Sequence, residues 1–308
     1  MYKLSYLIWF SLSCSLFNSI AISKVSSEKI IFLSDTQDPL WIEKIILSEN
    51  FNIEASNLIL NQVVEERASA VFHLGDLVSI GFDPEAWHRI DRFLTHLKSY
   101  QIPFYPTLGN HELLLFPEQG TNEFMRRFPA YQPTGYTVRV GRVAIIILNS
   151  NFGYLDDLQK NKQQVWYEHV LDSCQQDSSI RAIIVGCHHS PFTNSMIVAS
   201  NRDVQNYFLP GFTTTPKTKL FLAGHAHAFE HFHDQGKDFM VIGGGGGLQH
   251  PLAFGNRAEF RDLSDGSAKR QFHYLSIMPS DSSIALMIHM VKADLSGFEV
   301  GYQLEILY

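Results

Sequence analysis

The stretch Leu220-Phe221-Leu222-Ala223-Gly224-His225-Ala226-His227 decides the reading of this chain. Four apolar residues stopped by a glycine read as a buried strand with an abrupt end. Two histidines at i and i+2, just past that end, can aim two imidazoles into one pocket once the backbone leaves strand geometry. A lone His-x-His pair is more often an incidental loop feature than a metal site. Its weight here comes from four further polar clusters, each at the C-terminal end of an apolar run. They are Ser34-Asp35-Thr36-Gln37, Gly75-Asp76, Gly109-Asn110-His111-Glu112 and Cys187-His188-His189-Ser190-Pro191.

Outward from these clusters, residues 29–33, 70–74, 103–106, 181–186 and 239–242 read as strands. Helical spacing of apolar residues marks 41–47, 55–66 and 163–174, the last with Val165, Trp166 and Val170 inward. Asp83-Pro84-Glu85 is a helix start, with an N-cap aspartate and a proline in the first turn of a helix reaching about residue 100. Residues 136–140 and 143–148 flank Gly141-Arg142 as a hairpin. Residues 203–208 read as a short helix. The tail changes character: 272–277, 284–291 and 298–306 read as three consecutive strands. Units of βα followed by an antiparallel tail predict an α/β fold with mixed sheets. No repeat, linker or domain boundary interrupts residues 24–308, which are expected to form a single domain. Residues 254–269 are polar and are expected to loop over the surface.

Composition bounds the function. The chain has 308 residues, 45% hydrophobic and 18% charged, which is globular. A formal net charge of −7 argues against a nucleic-acid footprint. Fourteen histidines favour metal or acid–base chemistry. At the N-terminus, Lys3 precedes a mostly apolar stretch to Phe17, and Ala21-Ile22-Ser23 is a small-x-small pattern. This reads as a signal peptide over residues 1–23, so the protein is expected to be secreted or periplasmic. The stretch is short for a membrane span and no stable anchor is expected. Cleavage leaves Cys174 and Cys187, which could pair in an oxidising compartment.

In open α/β sheets, ligands bind beyond the carboxyl ends of the strands. The donors gathered there are carboxylate, amide and imidazole groups without thiolate, a set that suits Mn, Fe, Zn or Co. Two carboxylates and several imidazoles can hold two cations with one carboxylate shared, and such a pair clamps a phosphoryl group. Individually, the aspartates could be helix N-caps, and His188-His189 a buried hydrogen-bonded pair.

Taken together, the series resembles the calcineurin-like metallophosphoesterase superfamily, which includes the purple acid phosphatases. Its motif order is an aspartate motif, GDxx, GNH[ED], a histidine motif and GHxH, and Asp35 to His227 follow it. The resemblance implies an αββα sandwich with mixed β-sheets and a dinuclear metal centre of Mn, Fe or Zn with a bridging hydroxide. It implies that Asp35 and His227 hold the first metal, Asp76 bridges, and Asn110, His188 and His225 hold the second. His111 would lie near the leaving group. The expected activity is hydrolysis of a phosphate-ester substrate, monoester or diester.

Three departures stand out. Gln37 occupies the position of the histidine in the usual Asp-x-His, where it either ligates through its carbonyl or orients a water. Ser79 replaces the tyrosine ligand of the purple type, so the purple iron(III) form is not expected. His-His-Ser-Pro aligns with the histidine motif through either His188 or His189. The alternative function is a non-catalytic relative, degenerate at Gln37, that binds a phosphorylated ligand or a protein partner. Specificity is expected from the loops 116–132, 192–215 and 250–269. His231 and His233 read as rim residues or as a solvated strand face, and Gly243 to Gly247 as close backbone packing.

Overall fold

Alternation within short apolar runs builds the architecture. In Ile30–Leu33, Ile30 and Phe32 point to one face and Ile31 and Leu33 to the other, yet all four are fully buried. A strand buried on both faces must lie in a sheet covered on both sides. The computed structural model, which describes residues 20–21, 28–264 and 271–308, has two such sheets.

The strands are β1 (Ile20–Ala21), β2 (Ile30–Leu33), β3 (Ala70–His73), β4 (Phe104–Pro106), β5 (Tyr136–Val140), β6 (Val143–Ile147) and β7 (Ala182–Cys187). They continue with β8 (Thr218–Ala223), β9 (Phe229–Asp234), β10 (Lys237–Ile242), β11 (His273–Pro279), β12 (Ser283–Val291) and β13 (Phe298–Leu307). One sheet has the order β13-β12-β11-β2-β3-β4 and the other β1-β5-β6-β7-β8-β10-β9. In the first, β2, β3 and β4 are parallel and the tail β11-β12-β13 is antiparallel. In the second, β6, β7, β8 and β10 run parallel, β5 is antiparallel to β6 and parallel to β1, and β9 is antiparallel to β10.

Three apolar layers follow from the alternation. Between the sheets lie Ile30, Phe32, Phe72, Ile145, Ile184 and Leu220. On the first sheet's outer face, Ile31, Leu33 and Val71 meet Ile59 of α1 (Asn52–Glu65) and Phe93 of α2 (His88–Ser99). Phe124 of α3 (Pro117–Arg127) joins the same layer. On the second sheet's outer face, Ile146, Val185 and Phe221 pack against Leu171 of α4 (Asp157–Gln176). The short helices α5 (Arg202–Tyr207) and α6 (Leu209–Thr214) complete that layer through Val204 and Phe212. This is the expected αββα sandwich.

Several local expectations needed correction. Residues 41–47 form no helix: a single 3-10 turn spans Glu43–Ile45, and Trp41, Ile42, Ile45 and Ile46 are exposed. Helical periodicity there has no apolar surface to pack on, because α1 and α2 already cover the sheet. Val165 faces solvent, and Tyr167, Val170, Leu171 and Cys174 are the buried side of α4. That helix starts earlier than its apolar pattern, at a capping box between Asp156 and Gln159. The expected loop 116–132 contains α3, with Pro117 in its first turn. Cys174 and Cys187 are both buried and free, so they do not pair. The leader expected over 1–23 lies outside the described residues apart from Ile20 and Ala21. Among the described residues no helix is long and apolar enough to cross a membrane.

One buried histidine gives the fold a pH dependence. His273 on β11 is fully buried, donates from Nδ1 to Gln271 O at 2.8 Å, and leaves Nε2 unpartnered. Burial pulls its pKa down from 6.5 to about 4. Between these values the unfolded chain binds a proton that the folded chain does not. Its contribution is therefore complete above the unfolded value and is lost as pH falls through this window. We expect the metal-free protein to lose on the order of 2–3 kcal/mol through this group between pH 7 and pH 4. Urea midpoints measured across that range should fall less steeply in His273→Met.

Candidate metal centre

Five parallel strands, β2, β3, β4, β7 and β8, each deliver one cluster. Asp35 follows β2, Asp76 follows β3, and the 109–112 turn follows β4, all in one sheet. His188 follows β7 and His225 follows β8 in the other sheet, so the clusters meet where the two sheets end together. Backbone bonds fasten these ends. Asp35 N–H donates to Gly75 O at 3.0 Å, Gln37 N–H to Asp76 O at 3.2 Å and Gly224 N–H to His188 O at 2.9 Å. From the glycine run, Gly245 and Gly247 N–H donate to Ser34 O and Asp35 O at 3.0 and 2.9 Å.

Three of the expected donors occupy the left-handed backbone region: Asp35 at φ 60°, Asp76 at 57° and His225 at 68°. Such backbone costs a non-glycine residue about 1–3 kcal/mol and persists where the surroundings over-determine it. Glycines supply the clearance. A Cβ on Gly109 would sit 2.1 Å from Asp76 Oδ1, and one on Gly247 would sit 2.3 Å from the His227 ring. The glycine run is thus close packing against the site.

The expected donors converge. One atom each from Asp35, Asp76 and His188 lie within 4.8 Å of one another, and so do atoms from His188, His189 and His225. His188 Nδ1 is 2.9 Å from Leu74 O, which only accepts, so the proton sits on Nδ1. In the neutral ring, Nε2 then points a lone pair at Asn110 Oδ1, 2.9 Å away, and Asp76 Oδ2, 3.3 Å away. His227 repeats the pattern, with Nδ1 2.8 Å from Leu248 O and Nε2 3.4 Å from Asp35 Oδ1. The Gln37 amide group donates to Asp35 O and Asp76 O at 3.1 Å each, which turns Oε1 toward His227 Nε2 at 3.2 Å. Acceptors facing acceptors need a proton or a cation between them, and this donor set fits a cation.

Without the cation, charge does the same work on the protons. Burial would lower His188, but the neighbouring Asp76 outweighs it and pushes the pKa up to about 9. Burial also acts against His227, and Asp35 nevertheless raises it. Burial would raise Asp76, yet His188 and His111 hold it well below the usual carboxylate range. Burial, with His189 and His188 adding to it, keeps His225 well below its ordinary value, which leaves one ring nitrogen with a free lone pair.

His111 is fixed by Nδ1 on Ser79 O at 2.9 Å, and its backbone N–H donates to Asp76 Oδ1 at 2.8 Å. Its Nε2 lies 3.9 Å from Asp76 Oδ2, on the rim of the donor cluster. His188 belongs to both donor groups, whereas His189 joins only one and is tied to Ser150 Oγ at 2.9 Å. His231 and His233 lie apart on β9, both bonded to Asp238 Oδ1 at 2.9 Å.

Several contributors escaped the sequence reading. Glu43 Oε1 reaches to 3.6 Å from His111 Nε2. His250 stacks on His227, with ring centroids 4.4 Å apart. Glu112 accepts four backbone N–H groups, from Gly109, Asp76, Leu77 and Val78, at 2.7 to 3.2 Å. The capping role of a carboxylate three residues past a glycine turn could have been read from Gly109-Asn110-His111-Glu112. Burial and then the charge of Asp76 push Glu112 up to about 7, against these donors.

A family model described as calcineurin-like phosphoesterase matches residues 28–229. The fold is similar to a purple acid phosphatase from yellow lupin (Lupinus luteus) seeds, with a TM-score of 0.67 at 16% identity. That match covers 92% of this chain and 54% of the lupin protein, so the chain spans about half its length. It is similar to GAP50, described as the anchor in the inner membrane complex of Plasmodium, with a TM-score of 0.66 at 15% identity over 91% and 88% of the two chains. A dimetal phosphatase from Danio rerio matches with a TM-score of 0.56 at 12% identity, over 91% and 98%. Identities this low establish the shared fold alone.

The Glu112 carboxylate gives a direct test of how the site is shaped. An amide at this position accepts through one oxygen only and leaves two buried N–H groups facing an NH₂. We expect Glu112→Gln to cost about 2–5 kcal/mol in a urea titration. Elemental analysis should show that it also binds less metal than the parent chain.

Proposed function

The chain belongs to the calcineurin-like phosphoesterase family, and from that premise we propose that it is a metal-dependent phosphoric ester hydrolase working through a dinuclear centre. The observation that carries this reading is the pair of imidazoles, His188 and His227, whose Nδ1 protons are fixed on backbone carbonyls while each Nε2 faces oxygen acceptors. In this reading Asp35, Gln37 and His227 hold one cation and Asn110, His188 and His225 the other, with Asp76 shared. Gln37 acts through Oε1, because its amide nitrogen is engaged by two backbone carbonyls. Two bound divalent cations, Mn, Fe or Zn by donor type, would supply a bridging hydroxide at neutral pH and charge stabilisation at phosphorus.

The chain's own residues do the rest. Asp76 keeps its position through the His111 N–H, and Glu112 holds the turn that carries both Asp76 and Asn110. His111, anchored at Nδ1, presents Nε2 to the departing oxygen and in its imidazolium form hands over a proton there. The leader expected over 1–23 makes the enzyme an exported one, secreted or periplasmic.

A second reading, a non-catalytic relative that binds a phosphorylated ligand or a protein partner, draws on two observations. Gln37 is a weaker donor than the imidazole it replaces, and one similar structure is described as an anchor in a membrane complex. The two readings part at His111. For a hydrolase, His111→Ala should lower kcat for a phosphate monoester by about 10²–10⁴-fold while metal content per chain stays the same. A non-catalytic relative shows no metal-dependent turnover to lose.

A further inference from the structure

The segment between Gln37 and α1 is unlike the rest of the surface. Trp41 and Ile42 are 75% and 56% exposed, and the turn they flank sends one polar side chain inward. That side chain is Glu43. Its Oε2 accepts the Leu40 N–H at 2.6 Å, which aims Oε1 at His111 Nε2, 3.6 Å away. A second exposed apolar patch lies in the turn that follows His111. Leu115 is held at φ 64° and is 69% exposed, and Phe116 is 51% exposed and packs edge-on against Phe82 at 4.8 Å. The turn that carries them is tied to His111, whose carbonyl accepts N–H groups from Leu114 and Gly81 at 3.4 and 3.1 Å. The nearby cations are already engaged: Arg89 binds Asp38 at 2.8 Å and Lys44 binds Glu49 at 2.7 Å.

We propose that Glu43, with the apolar side chains of Trp41, Ile42, Leu115 and Phe116, forms a leaving-group subsite that selects phosphate esters of apolar, neutral or cationic alcohols. This assignment rests on the phosphohydrolase reading and narrows its substrate class. His111 Nε2 marks where the departing oxygen goes, so whatever is attached to that oxygen lies against Glu43. A carboxylate fixed there repels an anionic leaving group, such as a nucleoside phosphate, and attracts an ammonium. Trp41, Ile42 and Leu115 stand exposed and Phe116 is covered on one side by Phe82, so these side chains gain by burying an aliphatic or aromatic body. The occupant of this apolar rim is therefore the alcohol part of the substrate.

The test uses the metal-loaded full chain and three aryl phosphates that carry a quaternary ammonium, a methyl or a carboxylate group para to the ester. We expect kcat/KM to rank cation above neutral above anion. In Glu43→Gln the cation-to-anion ratio should fall by about fivefold. Calorimetric affinities of the matching phosphonates should follow the same order, and their ratio should fall with the same substitution. Trp41→Ala should weaken binding of the neutral aryl phosphonate more than binding of methylphosphonate. If Glu43→Gln changes all three esters equally, or the parent chain does not discriminate among them, the subsite is wrong while the hydrolase reading stands. If none of the three esters is cleaved, the hydrolase reading fails and takes the subsite with it.

Discussion

Three buried carboxylates meet where the two sheets end, and the surrounding structure is arranged to tolerate them. Asp35, Asp76 and Glu112 are at most 1% exposed. Isolated charges so buried would be strongly unfavourable. The backbone answers with fixed N–H groups: Asp35 accepts from His225, Asp76 from His111, and Glu112 from four residues. These donors come from both sheets, so satisfying the carboxylates also sets how the sheet ends sit against each other. The donors do not cancel the charge. Burial and then the charge of Asp76 still push Glu112 up to about 7, and the negative field of Asp76 outweighs burial to raise His188 to about 9. A site with that field is made for cations.

The same demand explains the backbone strain. Asp35, Asp76 and His225 must leave their strands and at once turn a functional side chain into the junction, which takes left-handed geometry. Glycine would adopt it freely but brings no ligand. The adjacent positions are glycines instead: Gly75 precedes Asp76 and Gly224 precedes His225, and side chains there would collide with Gly109 and with Ser34. Central strands buried on both faces, such as β2, β3 and β7, supply the packing that offsets these turns.

Much of this was legible in the residues themselves. Continuous apolar runs such as Ile30–Leu33 and Ala182–Cys187 announced strands covered on both faces, and their polar ends announced the donors. What could not be read falls into two kinds. Contacts made by backbone carbonyls, such as Leu74 O and Leu248 O on the two imidazoles, carry no signature in residue identity. Segments whose apolar residues lack a packing partner misled the periodicity argument, as at Trp41 and Ile42, where helical spacing produced one turn of 3-10 helix. Glu43 was hidden by the same error, since a solvated helix would have turned it to water. The free thiols show the opposite case: compartment logic allowed a disulfide that the fold does not make.

In the proposed hydrolase the junction holds two cations, with Gln37 ligating one of them through Oε1. The most direct measurement is metal content per chain for residues 24–308, equilibrated with Mn, Fe or Zn and freed of loose ions. Two tightly held ions per chain are expected, and one fewer when Gln37 is replaced by leucine. One ion or none in the parent chain would overturn the two-cation reading.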